Sequence, residues 1–198
     1  LEKASGVNFP VAYVEPSAIL TSPNTSYFEY GILFARTIPI IAKNAFQIVI
    51  QISGPLVAYG LKGTVHAILA HEFLHYLELM RKISKMELLS DEISSNLFGS
   101  IYSDNERLFE PRAVFNDKTL LLHITKKFPL GFRDYKLEDK TIKFWIEKNL
   151  PATKITLDTN VTKLSADLIS KIQLNADLKA KIENFELKGL KLRKKRLY

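Results

Sequence analysis

Two of the four histidines in this 198-residue chain stand four positions apart, in the sequence His71-Glu72-Phe73-Leu74-His75. On a helix, residues four apart project from one face, so both imidazoles can bind the same metal ion. Glu72 stands beside them, where a carboxylate can take a proton from a metal-bound water. The pentapeptide therefore predicts a site that activates water. The alternative is a histidine pair that packs at a helix surface or in a core.

A catalytic zinc ion takes three protein ligands and leaves a fourth position for water. The chain has no Cys, so the third ligand must be a carboxylate or another His. We predict a second helix over Met86–Ile101, and a helix advances about 100° per residue. Glu92 then lies at the edge of the apolar face, whereas Asp91 projects away from it. A carboxylate at that edge is costly unless it is paired or bound to metal. We predict Glu92 as the third ligand and Asp91 as the reserve. The alternative for Glu92 is an ordinary glutamate at the border of an amphipathic helix.

The other two histidines are weaker candidates. His66 lies about 180° around the helix from His75, so we expect it to pack in the core or at the surface rather than reach the metal. His123 lies in the apolar run Leu120–Ile124, where a buried strand residue is the alternative to a catalytic role. A tetrahedral oxyanion needs a further donor. The candidates for that donor are Tyr102, Arg107, Arg112, His123 and Tyr135.

The metal-site pattern resembles the gluzincin metallopeptidases, the thermolysin-like group, over about residues 40–102. In that family a second helix carries the Glu ligand, and here the gap from His75 to Glu92 is 17 residues, slightly short for the group. The resemblance implies a zincin-like fold, a Zn²⁺ cofactor and hydrolysis of peptide or protein substrates, with Glu72 as general base. It also places Asn96 where the family often has an Asp that hydrogen-bonds the first His. Asn can accept that bond, but it adds no negative charge to the imidazole.

The resemblance also implies an antiparallel edge strand that binds extended substrate through main-chain hydrogen bonds. Phe46–Ile52 is the candidate strand, because β-branched residues and glutamines are interleaved there just before the site helix. The preceding Asn44 and Ala45 match an Asn-Ala pair on that strand in thermolysin-like enzymes. We therefore predict Asn44 and Ala45 as substrate-binding residues.

The sequence predicts an α+β fold, in which a zincin-like domain with a small sheet packed on the site helix precedes a mostly helical basic part. The boundary divides residues 1–117 from 118–198, and the second part can also be integral to the same domain. The predicted elements are a strand at Val11–Val14, the strand at Phe46–Ile52, a site helix from Gly63 to Lys82 capped by Thr64, helices at Glu138–Leu150 and Ser165–Leu187, and a short strand at Ile155–Val161. We expect Pro111 to close the segment before it and a break in the last helix near Asn175.

Charge is unevenly distributed along the chain. Residues 1–117 hold 9 Lys and Arg against 12 Asp and Glu, whereas residues 118–198 hold 19 against 9. The basic part predicts an acidic partner or nucleic acid, with lysine-rich solvated helices as the alternative. The longest uncharged run, Ala45–Leu61, is too short and too interrupted by polar residues for a membrane span.

The leading functional prediction is zinc-dependent peptide-bond hydrolysis. A second is a catalytically silent zincin-like module that binds protein or nucleic acid through its basic half. A third is a nucleic-acid-associated protein that acts through the basic tail at residues 188–198, although that tail lacks interleaved aromatic residues for base stacking.

Overall fold

The computed structural model describes residues 1–21, 31–42, 45–85, 109–127, 134–155 and 174–195. In chain order the elements are α1 (Glu2–Ser5), β1 (Ala12–Glu15), β2 (Ala18–Thr21), β3 (Gly31–Leu33), β4 (Ala35–Ala42), β5 (Ala45–Ser53), α2 (Gly54–Tyr59), α3 (Lys62–Ser84), α4 (Pro111–Val114), α5 (Lys118–Lys127), α6 (Tyr135–Thr141), a π-helix (Ile142–Ile146), β6 (Ala152–Ile155) and α7 (Ala176–Lys194). Helices and small sheets share the chain, which confirms the predicted α+β class.

Two three-stranded sheets are present in the described ranges. The first has the order β1-β5-β4, with β1 parallel and β4 antiparallel to β5. The second has the order β3-β2-β6, in which β6 runs parallel to β2. The strand β5 is central in the first sheet, and its residues Val49 and Ile50 are almost fully buried. The consecutive β-branched residues Ile48, Val49 and Ile50 are all buried, as in a strand that is covered on both faces.

The helix α3 lies between a helical layer and the first sheet. On one side Ala70, Phe73 and Leu77 join the main core cluster. On another side Ile68 packs with residues of the sheet region, among them Phe34 and Ala35. Because both sides bury apolar residues, α3 is held firmly and the side chains on its remaining face have defined positions.

The predicted strands at Val11–Val14 and Phe46–Ile52 and the predicted site helix are confirmed by β1, β5 and α3. The predicted cap is wrong, because the helix begins at Lys62 and Thr64 donates its hydroxyl to Asp134 Oδ2 at 3.0 Å. Pro111 begins α4, and most of the segment that it is expected to close lies outside the described residues. Proline suits a first helical turn, where its missing N–H would have no helical partner.

The C-terminal elements also differ in detail from the prediction. The predicted helix Glu138–Leu150 is α6 followed by the π-helix, and it begins at Tyr135 because Asp134 accepts a hydrogen bond from the Leu137 N–H. Of the predicted helix Ser165–Leu187, residues 165–173 lie outside the described residues. The described helix α7 begins after Asn175, where a break is expected and whose side chain caps it, and continues to Lys194. The helix therefore includes most of the predicted basic tail.

Residues from both predicted parts of the chain meet in the core. The main cluster contains Val7 and Phe73 together with Leu120, Ile182 and Phe185. Strand β6 pairs with β2, so the second sheet is also built from both parts. Among the described residues, no helix combines the length and the apolar character needed to cross a membrane.

Candidate metal site

His71 and His75 lie one turn apart on α3, as the sequence predicts. Their Nε2 atoms are 2.7 Å apart. The rings meet edge to face, with centroids 4.2 Å apart and an interplanar angle of 85°. His75 is 9% exposed and His71 is half-buried, so one imidazole is seated in the protein while the other borders solvent. The two nitrogens that would bind a metal therefore converge on one point.

The convergence fits a tetrahedral zinc ion after a small adjustment. Zinc–nitrogen bonds of about 2.0–2.1 Å at a tetrahedral angle separate two ligand nitrogens by roughly 3.3 Å. The observed Nε2 atoms would have to part by roughly 0.6 Å from their hydrogen-bonding distance, which small side-chain rotations can supply. Nitrogen ligands from a helical His pair are also the donor type that zinc favours.

Glu72 is buried, with 6% of its surface exposed. The Thr37 hydroxyl lies 2.8 Å from Glu72 Oε2 and 3.0 Å from the Glu72 main-chain carbonyl oxygen, so it can donate to either acceptor. Thr37 itself is buried on β4, opposite Ile50 of β5. The strand thus holds one carboxylate oxygen of Glu72, the residue that follows His71 on α3.

The third ligand is not found among the described residues. Within those ranges no group of three or more His, Asp or Glu side chains is arranged to hold a metal. Glu92, its reserve Asp91 and the neighbouring Asn96 all lie outside the described residues, in the gap between positions 85 and 109. Glu92 therefore stays a prediction. The described half of the site consists of two converging nitrogens and one buried carboxylate.

The structure separates His66 and His123 from the pair. His66 is exposed, in agreement with its predicted position on the opposite side of the helix. His123 lies on α5, so its interpretation as a strand residue is wrong. A Cβ atom added at Gly63 would lie 2.7 Å from the His123 ring, which therefore packs on the first turn of α3. That turn is roughly 12 Å along the helix from His71, too far for direct contact with the same bound group.

The two other predicted oxyanion donors that the structure describes line cavities to which neither His71 nor His75 contributes. Arg112 lines a cavity formed with α1 and α7, and Tyr135 lines one with Thr64 near the start of α3. Tyr102 and Arg107 lie outside the described residues. The described residues thus leave the oxyanion donor unassigned.

The edge strand next to the site helix is β4 rather than β5. The predicted strand at Phe46–Ile52 is central, because β1 and β4 flank it. It is β4 that packs on α3 and carries Thr37. Asn44 lies outside the described residues, and Ala45 is the first residue of β5. Among the described strands, the edge position expected for β5 is therefore occupied by its antiparallel neighbour β4.

Sequence reasoning did not find Thr37. No local pattern marks it, since a single Thr in a strand is ordinary and its contact with Glu72 spans 35 positions.

Tyr76, which follows His75 on α3, packs against the main core cluster, and burial raises the pKa of its phenol. Tyr76 is therefore partly shielded from solvent.

Comparisons with protein-family models, with curated proteins and with solved structures each gave no match. The functional argument consequently rests on the residues of the site itself.

Proposed function

We propose that this chain is a zinc-dependent peptidase of the zincin-like, gluzincin type. His71, His75 and Glu92 would hold the ion, and Glu72 would act as general base. The observation that carries the proposal is the convergence of two imidazole nitrogens on a helix whose intervening Glu72 has a buried, hydrogen-bonded carboxylate. That combination of residues matches the needs of metal-assisted hydrolysis.

A bound zinc ion would polarise the scissile carbonyl and lower the pKa of a coordinated water. Glu72 would take the water proton and pass it to the leaving amine. Thr37 would hold one Glu72 oxygen and so restrict the carboxylate to one orientation. Positioning of this kind matters because a general base must lie within hydrogen-bonding distance of the proton that it removes.

The strand β4 is the proposed binding edge for an extended peptide. Ser53 N–H donates to the Phe34 carbonyl at 2.9 Å, so residues 34 and 53 form a hydrogen-bonded pair. By the alternation of an antiparallel ladder, residues 35, 37, 39 and 41 direct their main-chain groups away from β5. Position 39 is a proline, which edge strands tolerate because a missing N–H there costs no ladder bond. In the part of the chain that the structure describes, β4 pairs with β5 alone.

Metal content tests the ligand set. We expect purified wild-type protein to bind one zinc ion and His71→Ala to lose it. Changing a residue that hydrogen-bonds a metal ligand typically lowers metal affinity about 10–100-fold, so we expect Glu92→Ala, which removes a ligand, to lower zinc affinity by more than that. The matched control is Glu78→Gln, because Glu78 is also buried near the pair but faces Lys82 Nζ at 3.9 Å. Full zinc affinity in Glu92→Ala would remove Glu92 from the ligand set.

Cleavage of casein tests the reaction. Glu72→Gln should retain zinc while its turnover falls by about 10²–10⁴-fold, the usual contribution of a general base. Stoichiometric zinc in the wild type without turnover on any member of a peptide library would contradict a peptidase. That outcome would favour the catalytically silent binding module instead.

A further inference from the structure

A cavity of about 610 Å³ lies on the molecule among α1, α4 and α7. Neither His71 nor His75 lines it, so it is separate from the candidate metal site. Its volume falls within the range of small-molecule sites, about 300–1,000 Å³. Concavity of this size requires three elements to converge without filling the space between them.

The lining of this cavity is strongly cationic. Five of the described residues that line it carry positive charge: Lys3, Arg112, Lys188, Lys191 and Lys195. No described residue of the lining is Asp or Glu. On α7 the three lysines have the spacing i, i+3 and i+7, so they share one helix face over roughly 10 Å. Lys3 and Arg112 approach from α1 and α4.

These charges differ from other lysines of the same region. Lys181 pairs with Asp177 at 2.6 Å, and Lys85 pairs with Glu186 at 2.9 Å. Among the described residues no salt bridge involves any of the five cations of the cavity. Like charges that converge without counter-charges repel one another, and a bound anion would relieve that repulsion.

The floor of the cavity is apolar. It includes Phe185, Val114, Phe115 and Leu192. The first three are buried in the core, so the floor is a rigid surface. Beside the cavity, α7 packs against the start of α4 at ordinary contact distances, since a Cβ added at Gly189 would lie 3.9–4.0 Å from Glu110 and Ala113 atoms. An apolar floor below a ring of cations suits a ligand that has an apolar ring at one end and several negative charges at the other.

We propose that this cavity binds a soluble organophosphate of nucleotide size. The phosphates would contact the lysines of α7 and Arg112, and the ring would lie on Phe185 and Val114. Phosphate is favoured over a single carboxylate because five positive charges match a polyphosphate in number, and Arg and Lys are the usual phosphate-binding side chains. The cavity is partly open to solvent, so a molecule of nucleotide size can enter it, and its apolar lining offers a surface for the ring of such a molecule.

Calorimetric titration with three probes in metal-free buffer at low salt tests the proposal: ATP, inorganic tripolyphosphate and adenosine. We expect ATP to bind more tightly than tripolyphosphate, because its ring adds contact with the floor, and adenosine to bind weakest. The affinity for ATP should fall as salt rises. Lys188→Gln with Lys191→Gln should lower that affinity at least about tenfold, a change equivalent to about 1.4 kcal/mol.

The matched control is Lys179→Gln with Lys194→Gln, which removes the same charge from exposed positions of the same helix outside the cavity lining. We expect this control to change ATP affinity less than about twofold, with zinc content unaltered in both double variants. If the α7 variant does not fold, Lys3→Gln with Arg112→Gln tests the opposite wall. Equal losses in test and control variants would overturn the proposal. So would an absence of ATP binding, whether or not an oligonucleotide or anionic vesicles bind.

Discussion

At the scale of single residues, the side chain of Thr37 links the sheet to the chemistry proposed for Glu72. A buried carboxylate is costly unless hydrogen bonds satisfy its oxygens. The Thr37 hydroxyl lies 2.8 Å from Glu72 Oε2, and both side chains are buried. The carboxylate is therefore oriented before any substrate arrives, which is the property that a general base requires.

Thr37→Val keeps the shape of the side chain and removes the hydroxyl. We expect a loss of about 1–3 kcal/mol in the free energy of unfolding, because Glu72 loses a buried hydrogen-bond donor. Urea denaturation of the single variants and of Thr37→Val combined with Glu72→Gln measures the coupling. Residues in direct contact couple by about 0.5–3 kcal/mol, so strictly additive losses would contradict this link.

At the scale of elements, close packing around Gly54 joins the first sheet to the π-helix. Gly54 is the first residue of α2, directly after β5. A Cβ added there would lie 2.8 Å from Trp145 and 3.1 Å from the Pro16 carbonyl oxygen. The main-chain carbonyl cannot easily move away, so a larger residue at this position would force Trp145 and its surroundings to shift.

Gly54→Ala should therefore destabilise the protein by about 1–3 kcal/mol, the usual cost of overpacking. The matched control is Gly189→Ala in α7, where the added methyl meets atoms at ordinary contact distances of 3.9–4.0 Å. Alanine is favoured over glycine inside a helix by about 1 kcal/mol, so the control should be neutral or stabilising. Thermal denaturation of the two variants compares them. If Gly54→Ala were as stable as the wild type, Trp145 and Pro16 would have to shift at little cost to make room for the added methyl group, which would contradict this prediction.

The elements that sequence predicts best are those whose pattern is local. The interleaved β-branched residues of β5 and the apolar spacing of α3 were sufficient to place both. The run Leu120–Ile124 favours a strand, because five consecutive apolar or neutral residues show no clear period, yet it lies in a helix. The Thr37 contact depends on the register that sets Thr37 opposite Ile50, and no local pattern determines that register. The sequence therefore predicts the placement of His71 and His75 on one helix, but it does not predict the contact of Thr37 on β4 with Glu72.

At the scale of the whole molecule, a single apolar cluster links the candidate metal site to the cationic cavity. Phe73, which lies between the paired histidines, and Phe185, which lies in the cavity floor, belong to the same cluster. At the far end of α3, Glu186 of α7 pairs with Lys85 and lies 3.7 Å from Arg81. The last helix is thus attached to the site helix by both apolar and charged contacts.

This arrangement predicts that α7 unfolds together with the rest of the described structure. Phe185 is 5% exposed in the main core cluster, so Phe185→Ala should lower the free energy of unfolding by about 3–5 kcal/mol. Circular dichroism follows the helices, while fluorescence of Trp145, the single Trp, follows the π-helix. We expect both probes to shift to the same lower urea midpoint, as a cooperative unit requires.

The control for this variant is Leu187→Ala, two positions further along the same helix. Leu187 is 60% exposed, so its truncation should change the free energy of unfolding by less than about 0.5 kcal/mol. A Phe185→Ala protein whose helical signal melts early while the Trp145 transition stays at the wild-type midpoint would contradict cooperative unfolding. The C-terminal helix would then be a separately folding unit, and a ligand in the cationic cavity would not stabilise the site helix through the shared core.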